Sequence, residues 1–142
     1  MRKVLIVLSL MILSVTACKT SVPNQKINKK REGYWIEKYT QDSSIYKSFG
    51  HYINDDPVKK WRHYKDSKLI KKENYKGNQC YTRIYFENGK IQAKGKTVFD
   101  SSAKYDHWYY NGNWNFYNEK GKLIMKRFYD KGKLVSETKL KK

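Results

Sequence analysis

The sequence predicts an all-β protein, an antiparallel meander of repeated β-hairpins that forms one extended sheet. Aromatic residues, among them 13 tyrosines, recur in short runs along the chain, and aromatic side chains favour strands. Asn88-Gly89 and Asn111-Gly112 each lie between two strand-like runs, and such pairs are the strongest short-range signal for a hairpin turn. After the N-terminal apolar run, no segment shows a helical period.

A repeated motif organises the chain. Each copy has an aromatic pair, a short polar link, Gly-Lys and then an aliphatic residue. The copies cover residues 85–91, 116–123 and 128–134, and a degenerate copy at 61–69 has serine in place of glycine. One such unit is a β-hairpin, which is only marginally stable alone. Neighbouring units must therefore pack side by side to bury a shared surface.

The turn and strand signals predict the order of the strands along the chain. These strands cover residues 34–39, 44–53, 58–64, 68–75, 80–86, 90–99, 107–110, 113–117, 122–129 and 133–140. A turn is expected at 55–57 (Asp-Asp-Pro), and the polar segment 100–106 is the one longer interruption. Side chains alternate along a strand, so large apolar residues fall on a common face. The expected core residues are Trp61, Trp114, Leu69, Ile91 and Leu123.

The N-terminus has the order of a bacterial export signal. Residues 1–3 are cationic, residues 4–15 are uncharged and mostly apolar, and residues 15–18 are small and end in cysteine. The apolar run is too short to span a membrane core, which needs about 20 residues. Its ending resembles the lipobox of bacterial lipoproteins, in which the cysteine is diacylated and becomes the new N-terminus. An ordinary signal peptide or an uncleaved anchor is the alternative.

These features divide the chain into a lipoprotein signal peptide at 1–17, a lipidated flexible tether at 18–32 and a repeat domain at 33–142. We expect Cys18 to carry the lipid and to hold the protein at the bacterial cell membrane, or at the outer membrane of a Gram-negative host. The tether is polar and lacks aromatic residues, a composition that cannot build a core. Cys80 is then a lone thiol without an intramolecular disulfide, and its aromatic-rich segment predicts that it is buried.

One copy of the motif resembles the MORN-variant repeat of YwqK-like bacterial proteins. Its matching residues are Trp114, Tyr117, Gly121, Lys122, Leu123, Tyr129 and Gly132. A looser copy consists of Trp61, Tyr64, Lys68, Leu69, Tyr75 and Gly77. The resemblance covers about residues 33–140. It implies an extended scaffold sheet that binds protein or lipid, or an antitoxin that neutralises a partner toxin.

The sequence shows no motif for catalysis, for a metal or for a cofactor. His51, His63 and His107 lie in separate segments without the spacing of metal ligands. The glycines stand singly at turns rather than in a phosphate-binding loop. We therefore expect a protein that is not an enzyme and that uses no cofactor.

The positive charge indicates the class of partner. Removal of residues 1–17 would leave 29 basic and 13 acidic residues, a net charge of +16. A basic surface beside a membrane can contact anionic headgroups or an acidic envelope polymer. The alternative is that the lysines keep the edges of a flat sheet soluble and unpaired. Export argues against nucleic acid as the partner.

The densest aromatic run follows the polar segment 100–106 and is the candidate docking site for a partner. Trp108, Tyr109 and Tyr110 belong to this run, and tyrosine and tryptophan are enriched at the energetic centres of interfaces. Alternatively, they alternate across one more strand, packed on one face and wet on the other. We expect a membrane-anchored, non-catalytic binding scaffold at the cell envelope, whose partner is a protein or an acidic polymer. The alternative is an immunity protein or YwqK-like antitoxin.

Overall fold

The computed structural model describes residues 22–102 and 107–140, so the predicted signal peptide and Cys18 lie outside the described residues. Within those ranges the chain is all-β and forms one antiparallel meander sheet that is not closed, which confirms the predicted fold class. The strands are β1 (Gln25–Ile27), β2 (Lys30–Gln41), β3 (Ser44–Ile53), β4 (Asp56–Lys65), β5 (Lys68–Lys76), β6 (Gln79–Tyr85), β7 (Ile91–Asp100), β8 (His107–Tyr117), β9 (Leu123–Asp130) and β10 (Lys133–Lys139). Each strand pairs with the next along the chain. Across both described ranges, no helix is long and apolar enough to cross a membrane.

The register divides the sheet into two different surfaces, because residues paired across strands share a face and successive side chains alternate. The tryptophan face carries Trp61 and Trp114, and the lysine face carries Arg62, Lys72 and Arg83. The buried side chains all lie on the tryptophan face. They are Ser48, Tyr52, Trp61, Cys80, Thr82, Ala93 and Trp114. The core is therefore one-sided, as expected of a single-layer sheet.

A wide bulge between β3 and β4 places the first tryptophan. Phe49 pairs with Arg62 and His51 pairs with Val58, so one residue of β3 opposes three residues of β4. The ring of Trp61 lies directly over Gly50, where a Cβ would overlap it. The Trp61 Nε1–H donates to the main-chain oxygen of His51 at 3.2 Å. Glycine is required at position 50 because the indole occupies the space of its side chain.

The same device recurs between β7 and β8. Gly95 lies under the ring of Trp114, whose Nε1–H donates to the main-chain oxygen of Lys96 at 3.0 Å. Gly112 has a φ of +70°, and Lys59 has a φ of +59° at the corresponding position of the first bulge. The predicted hairpin turn at Asn111-Gly112 is therefore wrong, because this pair lies inside β8. The positive φ of the glycine serves the bulge rather than a turn.

A smaller bulge follows every copy of the repeated motif. In each copy the aliphatic residue after Gly-Lys or Ser-Lys pairs with a tyrosine of the preceding strand, and one extra residue then enters the strand. The pairs are Tyr64–Leu69, Tyr85–Ile91, Tyr117–Leu123 and Tyr129–Leu134, and the extra residues are Ile70, Gln92, Ile124 and Val135. The repeat seen in the sequence is thus a repeat of hairpin geometry.

These small bulges explain why part of the predicted core is wrong. Trp61 and Trp114 are 3% and 1% exposed, so their prediction is confirmed. Leu69, Ile91 and Leu123 are only half-buried, and they lie on the lysine face opposite their tyrosines. The extra residue reverses the alternation of side chains, so an aliphatic residue before the bulge faces away from the tryptophans.

The sheet begins before the predicted boundary at residue 33. Gln25–Ile27 form β1 and pair with residues 30–32 of β2, so the second half of the predicted tether is a hairpin rather than a flexible chain. The side chain of Asn24 accepts a hydrogen bond from the Ile36 N–H at 2.7 Å and donates one to the Ile36 oxygen at 3.1 Å. This polar segment forms a hairpin because main-chain pairing between strands needs no buried side chains.

Candidate binding face

Basic side chains form a line across the lysine face, at right angles to the strands. Arg62 pairs with Lys72, Lys72 with Arg83, and Arg83 with Lys94. The line continues through Asn115 to Lys126. We call Arg62, Lys72, Arg83, Lys94, Asn115 and Lys126 the basic row. Neighbouring strands lie about 4.8 Å apart, so the row extends over roughly 24 Å.

Three shallow depressions with volumes of about 390, 520 and 550 Å³ adjoin one another along the row. The first two depressions along the chain share Lys60 and Arg62, and the next two share Tyr81 and Arg83. They therefore form one continuous trough from β2 to β8. The wide bulges line its two ends, through Gly50 on one side and Gly95 on the other.

The positive charge of the basic row is not neutralised by acidic side chains. Among the described residues, no ion pair includes a member of the row, and the carboxylates of Glu37, Glu73 and Glu137 pair elsewhere on the tryptophan face. Asp56 and Asp100 belong to the lysine face but stand at strand ends. Because like charges a few ångströms apart repel one another, the row attracts a ligand that carries several negative charges.

Tyrosine rings hold the lysines of the row in place. The ammonium of Lys72 lies 5.6 Å from the centre of the Tyr85 ring, and that of Lys94 lies 5.3 Å from the Tyr117 ring. These cation–π contacts orient the side chains while the ammonium groups keep free hydrogen-bond donors. Tyr81 is 47% exposed and lies where two of the depressions meet, so part of its ring can contact a ligand, while the ammonium of Lys76 lies 5.9 Å from the ring centre.

The structure does not bring Trp108, Tyr109 and Tyr110 together as one docking patch. Trp108 and Tyr110 belong to the tryptophan face, and Tyr109 belongs to the lysine face. The Trp108 ring lies edge-on to Tyr75 at 5.3 Å, and Tyr110 stacks on Trp114 at 4.0 Å. The three residues alternate across one strand, which is the packing arrangement given as the alternative to a binding site.

One arrangement that the sequence did not reveal joins three strands on the tryptophan face. Ser48 Oγ lies 2.8 Å from His63 Nδ1, and His63 Nε2 lies 2.7 Å from Glu73 Oε2. A carboxylate can only accept, so Nε2 carries the proton donated to Glu73, and in the neutral ring Nδ1 accepts from Ser48. The Lys71 Nζ donates to the other carboxylate oxygen of Glu73 at 2.8 Å.

This Ser48–His63–Glu73 array has the residue types of a hydrolase triad and links three neighbouring strands. Ser48 is 8% exposed and lies inside β3, whose backbone is paired with strands on both sides. Burial raises the pKa of the Glu73 carboxyl, but hydrogen bonds from His63 and Lys71 outweigh this effect and lower the pKa to about 2. The array thus holds a charged carboxylate within the sheet.

The described residues contain no group of three or more histidine, cysteine, aspartate or glutamate side chains that could hold a metal ion. Cys80 is 1% exposed, which confirms that it is buried. Burial raises the pKa of its thiol and makes it a poor nucleophile. The predicted lipidation residue, Cys18, lies outside the described residues.

The pattern that would have revealed the basic row is a spacing of 11 residues. Lys72, Arg83 and Lys94 follow one another at this interval, and Asn115 and Lys126 repeat it. The number of residues between two paired positions depends on the length of the turn and on how far each position lies from it. A constant interval therefore does not by itself establish that the side chains form a row. Combined with the strand registers, the interval of 11 residues identifies side chains that are paired with one another on successive strands.

Comparison with known proteins gives no family for this chain. No protein-family model matches it, and no curated protein matches it. A solved structure, the crystal structure of the GtfA/B complex, is similar over 72% of this chain and 19% of that chain, with 12% identity and a TM-score of 0.26. The chain thus spans about a fifth of that protein, and a similarity at this TM-score carries no argument.

Proposed function

We propose that this protein is a membrane-anchored, non-catalytic scaffold of the bacterial cell envelope that binds an acidic partner on its lysine face. The single observation that supports this function is the basic row, in which cations on consecutive strands lie side by side without acidic partners. Lysines that served only solubility would not need to occupy directly paired positions on consecutive strands. The charged groups of the tryptophan face, in contrast, largely pair with one another.

The expected strength of such binding is moderate. Each lysine or arginine near an anionic surface contributes about 1 kcal/mol. The five cations of the row therefore contribute on the order of 5 kcal/mol, which corresponds to a dissociation constant between millimolar and micromolar. An anchor that confines both protein and partner to the envelope raises their effective concentration and makes this affinity sufficient.

The proposed anchor would hold the sheet close to the membrane. Because β1 begins at Gln25, six residues separate it from Cys18, and they reach at most about 20 Å. This reach is far shorter than that of a tether ending at residue 32. An envelope polymer near the membrane surface would therefore be within reach of the lysine face.

The repeats support a further part of the proposal, that the domain is of the MORN-variant type. Four copies of the motif place a tyrosine opposite an aliphatic residue and then add a bulge. Their regular recurrence is what a scaffold built from repeated hairpins requires. Under the alternative function, an immunity protein, the partner would be a toxin rather than a polymer.

Cell fractionation and envelope binding test this proposal. Full-length protein expressed in bacteria should remain with membranes in high salt, and Cys18→Ser should yield unprocessed or soluble protein, because two acyl chains are needed for stable anchoring. The purified lipidated protein in detergent should also bind isolated cell-wall material, and salt should weaken this binding. Membrane retention and processing unchanged by Cys18→Ser would refute the anchor. Binding to no acidic envelope material, with a toxin-like protein recovered by crosslinking, would favour the immunity function.

A further inference from the structure

We propose that the ligand of the lysine face is a linear phosphodiester polymer that lies in the trough, perpendicular to the strands. This inference rests on the proposed function and names its partner. It is carried by the coincidence of the basic row with the trough formed by the three depressions. The polymer would pass Arg62, Lys72, Arg83 and Lys94 in order and contact Tyr81 near the middle of its path.

The arrangement of the cations in lines favours a linear polymer over a flat surface as the ligand. The cations of the row follow one line across the sheet, and a second line runs beside it. The second line contains Lys60, Asn74, Tyr81, Lys96 and Asn111, which pair in that order across β4 to β8. A linear polyanion fits between two such lines. A bilayer surface would instead contact the exposed lysines of the turns together with those of the row.

The chemistry of the two lines favours phosphate. Arg62 and Arg83 present planar guanidinium groups, which match the oxygens of a phosphate in pairs, while the lysines act as point charges. Asn74 and Asn111 provide neutral amide groups that can bond hydroxyls between the phosphates. Among the rings that line the trough only that of Tyr81 is exposed, whereas a polysaccharide without phosphate would need a succession of exposed rings there on which its sugars stack.

The length of the row predicts how many phosphates it holds. An extended chain advances about 1.2 Å per covalent bond, as a peptide does over its three bonds per residue. A glycerol phosphate repeat has six backbone bonds and therefore spans about 7 Å on the same basis. About four phosphates would cover the roughly 24 Å of the row.

Oligo(glycerol phosphate)s with one, two, four and eight phosphates test this length. Their dissociation constants are measured for the full-length lipidated protein in detergent at several salt concentrations. Affinity should rise steeply up to about four phosphates and only slowly beyond, because further units leave the row. A continuous rise in proportion to length would overturn the proposal, since it would show attraction by net charge alone.

A pair of charge-matched variants tests the position of the site. Arg83→Gln with Lys94→Gln removes two cations from the row, and should weaken binding of the four-phosphate probe about 30-fold, at about fivefold per contact. The salt dependence should also become shallower, because fewer counterions are released. The control, Lys120→Gln with Lys133→Gln, removes the same charge from exposed positions away from the row and should change affinity less than threefold. Equal losses in both variants would overturn the trough while leaving the proposed function intact.

Two further measurements separate the proposal from its competitors. Vesicles with anionic lipids should bind the row variant and its control equally, because a bilayer surface contacts the exposed lysines of the turns as well as those of the row and does not depend on the trough. Tyr81→Ala should weaken binding of the four-phosphate probe several-fold and leave the affinity for a single glycerol phosphate unchanged. Retention on acidic envelope material without binding of any oligo(glycerol phosphate) would refute the phosphodiester and leave the scaffold function. Failure to bind any acidic material would refute both.

Discussion

The β3–β4 and β7–β8 hairpins use the same device in different surroundings. In each, a glycine of one strand lies under a tryptophan of the next, a wide bulge gives the ring its place, and the indole N–H donates to a main-chain oxygen. Trp61 lies edge-on to Tyr52 at 4.8 Å and stacks on His63 at 6.1 Å, next to the Ser48–His63–Glu73 array. Trp114 stacks on Tyr110 at 4.0 Å and has Phe116 beside it.

This difference shows which parts of the device are fixed. The glycine, the tryptophan and the bulge recur, while the neighbours of the ring differ: a tyrosine and a histidine in one hairpin, a tyrosine and a phenylalanine in the other. The spacing from glycine to tryptophan also differs, because the second hairpin has longer strand segments and more residues between its strands, 101–106 against 54–55. Geometry at the bulge, rather than a particular set of neighbours, therefore places the two rings.

Removal of either ring is the largest expected change. Trp61→Ala and Trp114→Ala should each lower the free energy of unfolding by about 3–5 kcal/mol, because both rings are buried. That loss is a large share of the roughly 5–15 kcal/mol available to a domain. Urea unfolding followed by circular dichroism measures it, with the exposed Tyr81→Ala as a control of small effect. A variant with an unchanged melting temperature would show that its ring is not part of the core.

The glycines under the rings come next. Gly50→Ala and Gly95→Ala place a methyl group where the indole lies, so each should cost about 3 kcal/mol, at the upper end of the range for overpacking. Replacing the indole by a smaller side chain should relieve the overlap. Gly95→Ala should therefore cost much less in a Trp114→Leu background than in the native chain, which a double-mutant cycle measures. Additive effects would contradict direct contact between the two residues.

Low pH should distinguish the two hairpins. The pKa of Glu73 is lowered to about 2, so its stabilising effect is complete above its ordinary value of about 4.5 and is lost as pH falls from there toward 2. The loss should be about 3 kcal/mol, since the pKa is lowered from 4.5 to about 2 and one pKa unit corresponds to 1.36 kcal/mol. In Glu73→Gln this part of the pH dependence should disappear. An identical pH dependence in the variant and the native protein would show that the array carries no such coupling.

The smallest effect concerns the bulge residues with positive φ. Gly112→Lys should cost about 1 kcal/mol, because a side chain with a Cβ is strained at a φ of +70°. Lys59→Gly, the reciprocal change in the first bulge, should alter stability by less than that, since relief of strain is opposed by the greater freedom of glycine in the unfolded chain. If Gly112→Lys is neutral, the two bulges differ more than their geometry indicates.

The sequence predicted those features that depend on neighbours along the chain. Asn88-Gly89 forms the expected turn, and Gly89 has a φ of +80°. The same dipeptide at Asn111-Gly112 lies in a bulge rather than a turn, because both structures need a residue with positive φ. The burial of Trp61 and Trp114 is predicted correctly because a tryptophan on a strand loses most when its large apolar ring stays in water.

Features that depend on register could not be predicted. Each one-residue bulge reverses the alternation, so Leu69 faces away from Trp61 although the motif suggests a shared core. The Ser48–His63–Glu73 array and the basic row both consist of residues that come from separate strands and become neighbours only through the strand registers. Their positions follow from turn lengths and bulges together, and an error of one residue moves a side chain to the opposite face.

The one-sided placement of the tryptophans has a consequence for mutational tolerance. Because both indoles lean to the same side of the single layer, substitutions among the charged side chains on the reverse leave the packing that holds the strands together untouched. Variation can thus accumulate on that reverse side at little cost to folding. Related chains could diverge in what they bind while keeping one backbone, and an engineer could redesign that surface residue by residue without rebuilding the layer beneath it.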